Sequence, residues 1–314
     1  MKPIHKKLLR VAAGLAVAGF CVWFFRNIDW NKLGEALAGA SWKLVALAAL
    51  INFFHLLVKA GRWGVLLEPL GKIRLFSLFR YTLGSYAASN ILPARFGEVI
   101  RVFYLRPHGI APEGAVGVAL LEKMYEGVSL LAICLPLPFL VPLPAKARFT
   151  IFVLAALGLI GGGIMYWVAH HHRVPRKGLL ARVSEGVAIL RQPRQALWAL
   201  FLSVIVWLTD AVEVMLVLAA VGIEPSFATA LVTLIFINLS IAAPSTPAQV
   251  GAFEAGGVFA LNTLLGVAQE KALAFAVIYH FMQAIPVTIA GLEALFVWRK
   301  VRREPVIADS GTGG

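Results

Sequence analysis

Six stretches of this chain, at roughly 8–25, 43–62, 114–135, 149–169, 196–221 and 271–298, are long and apolar enough to read as membrane-crossing helices. About 20 mainly apolar residues, rising 1.5 Å each in a helix, cross a bilayer core. A soluble fold has no place for them. Apolar residues make up 60% of the 314 positions and charged residues 14%, against about 45–50% and about 25% in ordinary globular chains. The expected fold class is therefore an all-α polytopic membrane protein with about six transmembrane helices. Residues 1–303 are expected to form a single integral membrane domain, and 304–314 a disordered polar tail. The first run follows a basic N-terminus, as a signal peptide does. No small-residue cleavage site follows it, and the chain continues Phe24-Phe25-Arg26, so it is read as a retained helix.

Two further apolar stretches, 76–106 and 226–266, are interrupted by proline, glycine and charge. Each is predicted to be two short helices joined at a tip, a re-entrant hairpin. Lysine and arginine set the orientation. With the N-terminus inside, nineteen of them fall in cytoplasmic segments, among them Lys59, Arg62, Lys72, Arg74 and Arg80, and six in outer ones. Both termini are thus expected in the cytoplasm, provided that each interrupted stretch enters and leaves on one side. The net charge of +13 reads as this membrane bias, not as a nucleic-acid surface, and nucleic acid is not expected as a partner. The first hairpin is then entered from the cytoplasm and the second from outside, each between two spans. That is an inverted repeat, the sequence pointer to a transport site between the halves.

The two tips share a pattern, Pro93-Ala94-Arg95-Phe96-Gly97-Glu98 and Pro247-Ala248-Gln249-Val250-Gly251, with Glu254 three residues further on. Non-helical backbone at membrane depth survives only where protein or water satisfies it. The second helix of each hairpin begins at its tip, so its free N–H groups and positive dipole end favour an anion such as a phosphate. Arg95 adds positive charge at the first tip, and Ser245, Thr246 and Gln249 add neutral donors at the second. Charge within a span costs about 2.5–3.5 kcal/mol, yet this chain places Glu122, Lys123 and Glu126 in one span and Asp210 and Glu213 in another. Glu122 and Glu126 share a helix face, as do Asp210 and Glu213. His280 and Gln283 form a polar pair in the last span, and His55, Lys59 and Arg62 a stripe in the second. These groups either line a hydrated cavity between the tips or pair across helices, as Arg95 or Arg101 with Glu122 or Glu126 would.

No G-x-x-x-x-G-K-[ST] loop occurs, and His170 to Gln195, the longest polar segment, is too small for a nucleotide-binding domain. ATP-driven transport by this chain alone is excluded. Neither a G-x-S-x-G elbow nor an H-E-x-x-H helix is present. Cys21 and Cys134, the only cysteines, lie in apolar runs, so no metal or cofactor is expected.

The stretch Asn90-Ile91-Leu92-Pro93-Ala94-Arg95-Phe96-Gly97-Glu98-Val99-Ile100-Arg101 resembles the N-x-x-P-x-R-x-G-E-x-x-R signature of the flippase-like integral membrane family. That family includes the transmembrane part of bacterial lysyl-phosphatidylglycerol synthetase/flippase and a related region of an archaeal dolichol-phosphate glycosyltransferase. Glu122-Lys123-Met124-Tyr125-Glu126 is similar to its E-R-x-x-D segment, with two conservative departures. Pro247 to Glu254 resembles its P-x-x-x-G-x-x-E segment, with Ala248-Gln249 where the family usually has Gly-Gly. The resemblance implies movement of a lipid with a polar or phosphate headgroup across the bilayer; the expectation drawn from it is an anionic headgroup and a bacterial inner membrane. A phospholipid or a polyprenyl- or hopanoid-type lipid fits, with lipid-biosynthesis enzymes as possible partners. The substrate-binding residues expected from this resemblance and from the reading of the residues together are Asn90, Arg95, Glu98, Arg101, Glu122, Lys123, Glu126, Asp210, Ser245, Thr246, Gln249, Glu254, His280 and Gln283. The aminoacyl-transferring domain of the synthetase has no counterpart here. Competing classes are an integral membrane enzyme that modifies a lipid headgroup and a scaffold of a lipid-synthesis complex.

Overall fold

A computed structural model describes residues 29–92, 96–140, 144–171, 186, 188–242 and 246–303. The expected first span, the tip residues Arg95 and Ser245, and the tail 304–314 lie outside the described residues. Among the described residues all regular structure is helical. Asp29 starts the first helix, α1 (Trp30–Ala38), by accepting the backbone N–H groups of Asn31 and Lys32 at 3.1 and 3.2 Å. These bonds, the Lys32 amide first, hold its carboxyl below the usual carboxylate range. Trp30 and Trp42, at the starts of α1 and α2, are both exposed, as aromatic residues are where a helix meets a headgroup layer.

The expected spans form helices at α2 (Trp42–Leu67), α5 (Pro112–Cys134), α6 (Ala145–His171), α7 (Pro193–Ala220) and α10 (Gln269–Arg303). Among the described residues four helical segments are long and apolar enough to cross a membrane: Trp42–Leu67, Ala145–Ile164, Pro193–Ala220 and Gln269–Phe296. Helix α5 has the length but carries Glu113, Glu122, Lys123 and Glu126, and is not among the four.

The interrupted stretches are helix pairs. The first is α3 (Leu75–Ile91) and α4 (Phe96–Phe103); the second is α8 (Phe227–Ser240) and α9 (Ala252–Val258), which runs on into a wider π-turn over Phe259–Leu264. At 1.5 Å per residue these helices are about 10–26 Å long, too short to cross alone. Each pair packs against itself, and one glycine permits it in each. A Cβ on Gly97 would collide with the backbone carbonyl of Ser85, and one on Gly256 with Ser240 Oγ and the Phe236 carbonyl.

Helices α2 and α7 pack along each other, α10 lies along α3, and the Pro247–Gln249 turn of the second pair rests on α3. Pro286 interrupts the hydrogen bonding of α10. Asn52 and Asn90, from α2 and α3, donate to the carbonyls of Gln283 and Ala284 one turn before it, at 3.5 and 3.2 Å. Side chains of the first half thus bond directly to the backbone of the second, beside its proline.

Candidate functional site

Where α2, α3, α5, α7, α8 and α10 converge they enclose a cavity of about 240 Å³. Ten of the expected site residues line it: Asn90, Glu98, Arg101, Glu122, Lys123, Glu126, Asp210, Gln249, His280 and Gln283. Glu254 sits just behind the wall, and Thr246 closes its own turn by donating to the Val250 carbonyl at 2.6 Å.

One wall is an ion network. Arg62, fully buried, donates through Nη2 to Glu122 at 2.8 Å and Glu126 at 2.7 Å, and through Nη1 to Ser203 at 3.2 Å. Arg101 donates to the other Glu122 oxygen at 2.7 Å, its guanidinium 3.8 Å from the Trp63 ring centre. Lys123 bridges Glu98 at 3.2 Å and Glu126 at 3.3 Å. Lys59 donates to the Tyr86 hydroxyl at 2.8 Å and lies 3.8 Å from Glu126. Four cations therefore face three carboxylates. Nε and Nη2 of Arg101 have no hydrogen-bond partner among the described residues. A buried donor without an acceptor is costly, and these belong to a side chain that faces the cavity.

Among the described residues the opposite wall carries no such cations. Tyr279 donates its hydroxyl proton to Asp210. The Gln283 amide donates to Asp210 at 3.4 Å and to Glu213 at 3.3 Å. At the second tip, His280 contacts Glu254 through Nδ1 at 2.6 Å and the Ala248 carbonyl through Nε2 at 2.8 Å. The other Glu254 oxygen accepts the Gly251 N–H at 2.7 Å. The start of α9 is thus already met by a carboxylate of its own chain. Ala248 and Gln249, with φ of 50° and 65°, are left-handed. They occupy the two positions where the resemblance places Gly-Gly, the residue that takes this conformation without strain.

The ion network corrects one part of the sequence analysis. Lys59 and Arg62 count there among charges facing the cytoplasm, but the structure buries Arg62 between α2, α5 and α7 and places Lys59 in the cavity. A helix-internal charge and a loop charge look alike when the acidic partners lie 60 or more residues away. The remaining inner residues still outnumber the outer ones. Also missing from the expected site are Asn52, Tyr86, Asn238 and Tyr279. The spacing of Asn52, His55, Lys59 and Arg62 along an apolar helix was the available signal for that face, and Tyr279 stands next to His280.

Several apolar helices of spanning length around a polar, charged cavity define a multi-pass integral membrane protein. Its family follows from comparison with known proteins. The chain matches the family described as the lysylphosphatidylglycerol synthase TM region over residues 11–291, and belongs to it. A UPF0104 membrane protein of Methanothermobacter thermautotrophicus is 24% identical over 251 residues, covering 71% of this chain and 74% of that protein. The resemblance carried by the Asn90–Arg101 motif is borne out.

Proposed function

We propose that this protein is a lipid translocase. It moves an anionic phospholipid, or a phosphate-bearing polyprenyl- or hopanoid-type lipid, between the leaflets of a bacterial inner membrane, without ATP hydrolysis of its own. The observation that carries the reading is Arg101, a cavity-lining guanidinium with two unpaired donors in a wall where cations outnumber carboxylates. A phosphate oxygen supplies the missing acceptors in fork geometry. In this reading the two helix pairs are re-entrant hairpins opening from opposite sides, among six spans with both termini cytoplasmic. The headgroup passes between the tips, where Arg95 and Ser245 stand in sequence, while the tail stays in lipid. Family membership supports a role at the membrane lipid.

The test is reconstitution into phosphatidylcholine vesicles containing fluorescent, head-intact phosphatidylglycerol, with leaflet exchange read by dithionite quenching. Wild type exchanges the probe well above protein-free vesicles. Arg101→Gln slows exchange by roughly tenfold or more, the equivalent of one charge-assisted hydrogen bond, while Glu122 remains held by Arg62. Exchange no faster than in protein-free vesicles would sink the reading. A chemically altered lipid in the mass spectrum would replace it with a headgroup-modifying enzyme.

A further inference from the structure

Asp210 and Glu213 stand one helical turn apart on α7, buried, and neither has an ion-pair partner among the described residues. Asp210 faces the cavity and accepts from Tyr279 and Gln283; Glu213 lies one step behind the wall, fully buried, and among the described residues accepts only from Gln283. Glu213 Oε1 has no hydrogen-bond partner among the described residues. Two adjacent carboxylates in such a place do not both stay ionised. An uncompensated buried charge costs several kcal/mol, far more than one unmet neutral oxygen.

The described charges near the pair are engaged elsewhere. On α2, Lys59 is held by Glu126 and Tyr86, Arg62 by Glu122, Glu126 and Ser203, and His55 by the Val206 carbonyl and Thr209 hydroxyl. On α5, Glu126 sits within the ion network and Glu122 bonds Arg62 and Arg101. Helix α8 presents no titratable side chain. Arg191 and Arg194 lie at the far, N-terminal end of α7, about 24 Å or more along the axis from Asp210. On α10, Tyr279 is the donor already named. His280 donates to a carbonyl through Nε2, so the 2.6 Å contact from its Nδ1 to Glu254 requires one further proton, and that couple is neutral as a unit.

We propose that Asp210 and Glu213 form a one-proton site that couples headgroup passage to proton movement, a proposal that rests on the translocation reading above. The proton rests on Glu213, where an O–H bond forms, and exchanges with cavity water by way of Asp210. Its effect is electrostatic. Lys59, Arg62, Arg101 and Lys123 exceed Glu98, Glu122 and Glu126 by one positive charge. With both acids of the pair ionised the balance turns negative and an anionic headgroup is repelled; with one proton on the pair the balance is neutral and that repulsion is lifted. Proton and headgroup therefore raise each other's affinity, and this linkage is reciprocal.

The experiment uses the same phosphatidylcholine vesicles and fluorescent phosphatidylglycerol, with a transmembrane pH difference of about one unit and the electrical potential clamped by valinomycin and potassium. At one proton per lipid, wild type accumulates the probe in one leaflet by up to about tenfold. Glu213→Gln leaves it evenly distributed, and Asp210→Asn gives a second variant with the same expectation. Infrared spectra of wild type at neutral pH show a protonated-carboxyl C=O band that Glu213→Gln removes and Glu122→Gln does not. Absence of that band overturns the proposal. So does a wild type that exchanges lipid but distributes it evenly under every gradient, an outcome that leaves the translocation reading standing. A wild type that exchanges no lipid overturns the translocation reading, and coupling with it.

Discussion

The two buried carboxylate pairs border the same cavity from opposite halves of the chain, Glu213 from one step behind its wall, and are built to opposite rules. Glu122 and Glu126 on α5 are clasped by Arg62, with Arg101, Lys123 and Lys59 closing around them. Asp210 and Glu213 on α7 share a phenol and one side-chain amide. Both pairs sit at helix-face spacing, so the spacing alone assigns them the same role. The partners separate them. A carboxylate surrounded by cations is a fixed charge that shapes the cavity, whereas a carboxylate surrounded by neutral donors is free to take up a proton.

The comparison breaks most visibly at its keystone. Arg62→Met leaves Glu122 and Glu126 buried without their central cation, and stability falls by about 3–5 kcal/mol, read as denaturant or thermal unfolding in detergent. A loss under about 1 kcal/mol would mean that the network is hydrated and contributes little. The matched amide substitutions sharpen the contrast. Glu122→Gln removes the charge that Arg62 and Arg101 both grip and costs about 1.5–3 kcal/mol. Glu213→Gln replaces a group already neutral and stays within about 1 kcal/mol of wild type. Equal losses in the two variants would erase the distinction between the pairs.

The hairpins offer a second contrast between the halves. Gly97→Ala drives a methyl group onto the Ser85 carbonyl, a backbone atom with nowhere to go, while the first obstacle to Gly256→Ala is the Ser240 hydroxyl, which can rotate. Both overpack, at about 1–3 kcal/mol, with Gly97→Ala the more costly. The same unfolding measurement ranks them, and the reverse order would show that the first hairpin opens more readily than the second.

How much of this was legible in the sequence follows the reach of each interaction. Long apolar runs state their own length, and the five spans within the described residues became helices within about five residues of the expected limits. The helix breaks after Ile91 and Ser240 were legible because proline and glycine act on their own backbone. The cavity was legible from one side at a time: Glu122, Glu126 and Asp210 stand out as charges in apolar helices. Their counter-ions did not, because Arg62 meets Glu122 and Glu126 only after α2 and α5 pack, and nothing local marks which of several basic residues will do so. Tyr279 stayed hidden for a related reason, since a tyrosine in an apolar helix costs little and needs no explanation until its hydroxyl is found on Asp210.

The smallest effect lies at the second tip. Ala248 and Gln249 both hold left-handed backbone, which costs an L-residue about 1–2 kcal/mol. The His280 imidazole fastens the turn through the Ala248 carbonyl, and Glu254 through the Gly251 amide. Glycine at either position removes the steric cost but adds freedom to the unfolded chain, worth about 0.5–1 kcal/mol against it. Ala248→Gly and Gln249→Gly are therefore expected to stabilise the protein by about 1 kcal/mol or less, measured by thermal unfolding. The informative companion is His280→Ala. Without the imidazole bond to the carbonyl, a strained turn relaxes, and hydrogen exchange at residues 246–251 rises. In Ala248→Gly/His280→Ala the rise is smaller, because less strain remains to be released. An equal rise in both backgrounds would show that the imidazole merely packs beside the turn and does not hold it in its strained form.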